Sequence, residues 1–223
     1  MLLVTTLASA GTGVALMETA VGRQALVDQW ERTATAFGQP VDDAGYARLE
    51  ELSENGSAGY AIVNALSALC PEIDEDIASG LFGHLARHIQ MQRLKEPMPI
   101  IAYGVGSTSL RLLLHRALRF VRKNLGIEVE LVEFAVGRRN FELRKLWRLL
   151  SEQLDGEHVV ILMTRGASHH WTVAYAATET TLRLIDSYER KVLMRSRCTL
   201  KESRSRLRLC PGDMFFLRRT SPW

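Results

Sequence analysis

Asn55-Gly56-Ser57-Ala58-Gly59-Tyr60-Ala61-Ile62-Val63-Asn64-Ala65-Leu66 is a polar turn that runs straight into an apolar helix. Asn-Gly-Ser favours a turn over a continuing helix. Ile62, Val63, Leu66 and Leu69 then recur at helical spacing, so a helix starts at or next to residue 58. Such a start is where a nucleophilic cysteine belongs, because unpaired N–H groups and the positive end of the helix dipole lower a thiol's pKa and offer an oxyanion site. The residue there is Ala58, which can use neither.

On the amino-terminal side of this stretch the chain reads as helix after helix. Residues 12–37 carry Val14, Leu16, Met17, Val21, Leu26, Val27 and Trp30 on a helical period and stop at Gly38-Gln39-Pro40, and residues 42–52 form a shorter helix opened by acids. On the other side Pro71 breaks the chain, and an amphipathic helix is expected over 73–94. It holds His84 and His88 at i, i+4, a spacing that suits a metal. With no third ligand in view, they read instead as a surface or half-buried pair, and no metal site is expected. Ser107 is the expected N-cap of a helix over 110–124 that ends at Gly126.

Beyond residue 126 the period changes. Ile127, Val129 and Leu131 alternate with Glu128 and Glu130 in a strand expected over 127–136, a helix follows to Leu154, and Val159 to Met163 form an apolar strand. Short strands are expected at 170–176, 181–186, 191–194 and 214–218. Helices first and sheet last predicts an α+β chain. In the sheet half, His170 opens one strand and Asp186 closes the next, so a hairpin would set them side by side. A carboxylate there fixes the imidazole tautomer and stabilises its charged form. The same two residues also fit a satisfied structural histidine and a turn aspartate. His169 competes for the role of base, and because strand neighbours point to opposite faces only one of the two can face a cleft.

At 223 residues the chain is long enough to bury a full core, and a single domain is expected. Charge is uneven: residues 1–100 carry 6 Lys and Arg against 13 Asp and Glu, and residues 101–223 carry 22 against 12. The basic half fits solvated helix faces or an acidic protein partner better than nucleic acid, which is not expected as a ligand. Cys70, Cys198 and Cys210 are too few and too scattered for a disulfide framework, which predicts a reducing compartment: the cytoplasm, or a target cell's cytosol after delivery. No run of about 18 apolar residues exists, so no membrane span is expected, and no cofactor motif is present.

Together the two motifs resemble those of the papain-like cysteine peptidases, whose chain order is Cys at a helix start, then His, then Asn or Asp on a sheet. Asn55-Gly56-Ser57-Ala58-Gly59-Tyr60 is similar to the Asp-Gly-Asn-Cys-aromatic motif of ovarian-tumour-domain deubiquitinases. Ala58-Gly59, His170 and Asp186-Ser187 look like the pattern of bacterial double-glycine peptidases. The resemblance implies one papain-like domain over 1–223, with 1–52 as a helical extension and the amino-terminal helices packed on a carboxy-terminal antiparallel sheet. It implies a thiol protease with its nucleophile at position 58, His170 as base, Asp186 as orienter and Asn55 in the oxyanion site. Gly59, Tyr60 and Trp171 would line the substrate cleft. A protein or peptide substrate, a ubiquitin-like modifier among them, would lose a peptide or isopeptide bond; a glutamine deamidase or transglutaminase would share the same chemistry up to the acyl-enzyme.

The departures from that pattern are Ala58 itself, Leu52 where many papain-like enzymes carry Gln, and Ser187 where Pro follows the triad Asp. Ala58 has three readings: a cysteine replaced to stop turnover, a natural pseudoenzyme that keeps its cleft for binding, or a small helix-start residue in an accidental resemblance. The first is favoured because the other triad positions are intact. In each case this form is expected to be inactive. Ser57 lies one residue outside the matched position and is not expected to replace the thiol.

Overall fold

The computed structural model describes residues 57–95, 105–132, 142–154, 157–166, 169–186 and 190–220. The helices expected at 12–37 and 42–52, the extension they compose, and Asn55 lie outside the described residues. The order is α1 (Ser57–Leu69), α2 (Glu75–Lys95), α3 (Ser107–Leu125), β1 (Val129–Val132), α4 (Leu143–Gln153), β2 (His158–Arg165), β3 (His169–Ala177), β4 (Thr181–Ile185), β5 (Val192–Met194), a 3-10 turn (Arg195–Arg197), β6 (Cys198–Thr199) and β7 (Leu207–Arg219). The chain is therefore α+β. Its sheet runs β1-β7-β2-β3-β4-β5, antiparallel throughout, with β6 added parallel to β7.

Both faces of the sheet are covered, which explains the unbroken apolar run of β2. On one face Val159, Ile161, Met163, Trp171, Val173, Phe215 and Leu217 pack against α1, α2 and α3. On the other, Val160, Leu162, Ala174, Leu184 and Phe216 meet Leu146, Trp147 and Leu150 of α4. A strand buried on two faces needs apolar residues at every position. α1 is sealed in the same way: Ala58, Ile62, Val63, Ala65 and Leu66 are fully buried, because the helix lies between the sheet and its two helical neighbours. Fully burying a side chain such as Ile62 or Leu66 contributes about 1.5–3 kcal/mol.

Two expectations need correction. Ser107 is not the N-cap of α3: Gly106 holds that position, and the Ser107 hydroxyl instead bonds Asp213. The last strand is not confined to 214–218. Pro211-Gly212 reads as a turn, yet β7 continues through it as a bulge in which Met163 of β2 faces Cys210, Pro211, Gly212 and Asp213. Elsewhere the punctuation acts as its chemistry dictates. Gly126 adopts φ 70° after α3 and its N–H closes on the Arg122 carbonyl at 3.0 Å, a left-handed cap that a residue with a Cβ resists.

Candidate active site

The start of α1 and the start of β3 meet. Ser57, the first residue of α1, is buried, and its hydroxyl oxygen lies 3.4 Å from the Trp171 backbone N–H, which donates to it. Ala58 follows, wholly enclosed in the cluster that also contains Trp171 and Val173. Gly59 lies against Phe82 of α2: a Cβ on it would meet the ring edge at 3.1 Å. The Tyr60 ring sits 4.7 Å, centroid to centroid, from that same Phe82. Gly59 and Tyr60 thus help dock α1 onto α2.

At the end of the sheet His170 and Asp186 come together, His170 Nε2 bonding Asp186 Oδ1. Their side chains are 5% and 0% exposed, so the pair forms out of water, where a hydrogen bond is strong and an unmatched polar group is costly. The hairpin register explains the meeting: Val173 pairs with Ile185, which carries the start of β3 alongside the residue that closes β4. Asp186 Oδ2 is buried and has no hydrogen-bond partner among the described residues. His169, one residue earlier, is exposed. Strand alternation separates the two histidines and gives the buried place to His170.

The same alternation turns Trp171 the other way. Its indole N–H donates to the Val105 carbonyl at 2.8 Å and its ring lies 5.9 Å from that of Phe215, so it is packed in the helical layer beside the histidine's strand. Strand β3 thus carries the His170–Asp186 pair on one side and, on the other, the aromatic that anchors the start of α3. The first turn of α1 touches its backbone between the two. Asp213, in the β7 bulge, bonds Ser107 at the start of α3 and pairs with Arg165 of β2 at 3.0 Å. This brace links the start of α3 to the strand beside His170. The Pro-Gly-Asp turn signal inside a strand pattern was the one trace of it in the sequence.

Chemically, an imidazole held by a buried carboxylate matches the base-and-orienter half of a nucleophilic triad and equally a satisfied structural histidine. Position 58, the nucleophile seat that the sequence resemblance implies, carries a methyl group and packs with Trp171 and Val173, on the face of β3 opposite the His170 side chain. Among the described residues no group of three or more His, Cys, Asp or Glu could hold a metal ion, and no helix there is long and apolar enough to cross a membrane. His84 and His88 stand with their rings 4.8 Å apart, edge to face. No family model matches the chain, and neither a curated protein nor a solved structure does.

Proposed function

We propose that this chain is a papain-like thiol-hydrolase scaffold whose nucleophile seat is position 58. With cysteine in that seat, the start of β3 has to bring the His170 imidazole round from the opposite face of the strand to take the thiol proton, with Asp186 holding it. The thiolate attacks a peptide, isopeptide or side-chain amide carbonyl of a protein substrate, N–H groups at the start of α1 bind the oxyanion, and water releases the acyl-enzyme. With Ala58 the scaffold binds and does not acylate. The observation that carries this reading is the buried His170–Asp186 pair on the strand whose backbone the first turn of α1 touches.

The test restores the thiol by Ala58→Cys and offers three electrophiles: a ubiquitin-type activity probe, a panel of unstructured peptides, and a glutamine donor with an amine acceptor. A covalent adduct at residue 58 that needs His170 supports the hydrolase. Adducts with the modifier probe alone identify a modifier protease, and amine incorporation identifies a transglutaminase. One observation favours a second reading, a pseudoenzyme that only binds: Ala58 is 0% exposed and packed as a core residue, whereas a nucleophile has to meet its substrate. Under that reading the restored thiol reacts with none of the three.

A further inference from the structure

Between α2 and α3 lies a groove of about 400 Å³, lined by His84, Arg116, Arg119, Phe120, Lys123 and Asn124. Residues 116, 119, 120 and 123 fall on one face of α3 at helical spacing. Among the described residues no acidic side chain lines the groove, and Arg87, Arg116, Arg119 and Lys123 have no carboxylate partner, although Arg122 on the neighbouring face pairs with Glu128 at 3.0 Å. Lys123 stands in the last turn of α3, where a cation complements the helix dipole. Arg116 lies two turns earlier and has no such reason to be there. Its Nη1 donates to His88 Nε2 at 3.0 Å, and its Nε is buried with no hydrogen-bond partner among the described residues. A guanidinium spending one donor on a neutral imidazole, with another buried and unused, leaves the cluster short of an anion.

We propose that this groove binds a phosphate-type oxyanion, with Arg116, Arg119 and Lys123 as its ligands and His84 and His88 as groups that take up protons when it arrives. Guanidinium forks match the oxygens of such an anion in geometry as well as charge. The Phe120 ring, 5.5 Å from that of His84, offers an apolar wall for whatever the phosphate is attached to. In the free protein both imidazoles are held below the ordinary histidine range, first by burial and then by the surrounding cations. Those cations are Arg87, Arg116 and Arg119 for His84, and Arg116, Arg87 and Arg119 for His88, to which His84 adds once it is protonated. A bound dianion opposes the cations and raises both pKa values. The complex therefore holds more protons than the free protein, and binding tightens as pH falls. This site is independent of the His170–Asp186 pair and of any chemistry at position 58.

The experiment is titration calorimetry of the full chain with tripolyphosphate and with sulfate. Sulfate stays dianionic across the range and carries the pH comparison, since phosphate groups themselves ionise within it. The expected result is saturable binding to one site that tightens from pH 8 to pH 6, with net proton uptake revealed by comparing buffers of different ionisation enthalpy. Arg119→Gln with Lys123→Gln removes two exposed cations without touching the core and should weaken binding at least ~10-fold, since hydrogen bonds to charged groups are each worth that much or more. Arg204→Gln with Arg206→Gln, also exposed but outside the groove, should leave it unchanged. Vesicles with and without a phosphoinositide show whether the phosphate comes on a lipid headgroup or free in solution. Absence of binding at millimolar anion, tightening toward high pH, equal affinity in the groove variant, or binding of polynucleotides alone would each overturn the proposal.

Discussion

Helix α1 supplies its own internal control for the thiol at position 58. Cys70 stands just past the carboxyl end of the helix, fully buried, and burial pushes its thiol up to about 11 despite the nearby Arg219. Position 58 stands at the amino end of the same helix and is equally buried. If burial alone decided, a thiol introduced by Ala58→Cys would titrate with Cys70. Under the triad reading the helix start and the His170 imidazole act the other way, and thiols so placed titrate between about 3.5 and 7.5. The expected gap between the two ends is therefore at least ~3 units, or about 4–5 kcal/mol in favour of the thiolate at ~1.4 kcal/mol per unit. Iodoacetamide labelling of Ala58→Cys from pH 5 to 10, with each cysteine followed by peptide mass spectrometry, measures it without removing the native thiols. Residue 58 should be alkylated with a midpoint below pH 7.5 while Cys70 stays protected throughout. A midpoint above pH 9 at residue 58 would show that neither the helix end nor the imidazole acts on it, and the triad reading would fall.

The other expectations are more local. In the Ala58→Cys background, His170→Ala should raise that midpoint and abolish probe labelling while His169→Ala keeps most of it; the reverse result would assign the base to the exposed histidine. In the same background Asp186→Asn should slow labelling ~10-fold or more by loosening the imidazole's orientation, with little change in probe affinity. Glu72 and Arg219 form a two-pronged ion pair at 2.8 Å, and the Arg219 hydrogen bonds hold the Glu72 carboxyl below its usual value. A depressed carboxylate contributes stability above its unfolded pKa, about 4.3, and loses it as pH falls through the folded value. Because Glu72 is 46% exposed, Glu72→Gln should cost only about 1 kcal/mol in urea unfolding at pH 7 and nothing near pH 2; a cost that persists in acid would refute the charge argument. Gly126→Ala should lower stability by about 1 kcal/mol, since φ 70° disfavours a Cβ, with Gly126→Asn recovering part of it. A thermal shift that ranks alanine at or above glycine would contradict the cap.

Much of the architecture was legible along the chain because its signals are local. The Asn-Gly-Ser turn and the apolar period after it mark α1; alternation marks β1; a short, unbroken apolar run marks the doubly covered β2. The His170–Asp186 meeting was legible for the same reason, since a short hairpin decides it. Three features were decided only by the tertiary structure. The β7 bulge hides behind Pro211-Gly212, whose turn chemistry is real but is absorbed within one long strand when β2 on one side holds the register. Ser107 looks like a cap, and only the arrival of Asp213 from 106 residues away gives its hydroxyl a different partner. Trp171 sits next to the histidine in sequence yet serves the opposite face, because pleating sends neighbours apart. The groove between α2 and α3 belongs to the same class. The cations and the histidine that line it are ordinary on each helix alone, and only the packing of two helices brings their charges close enough to need a common counter-ion.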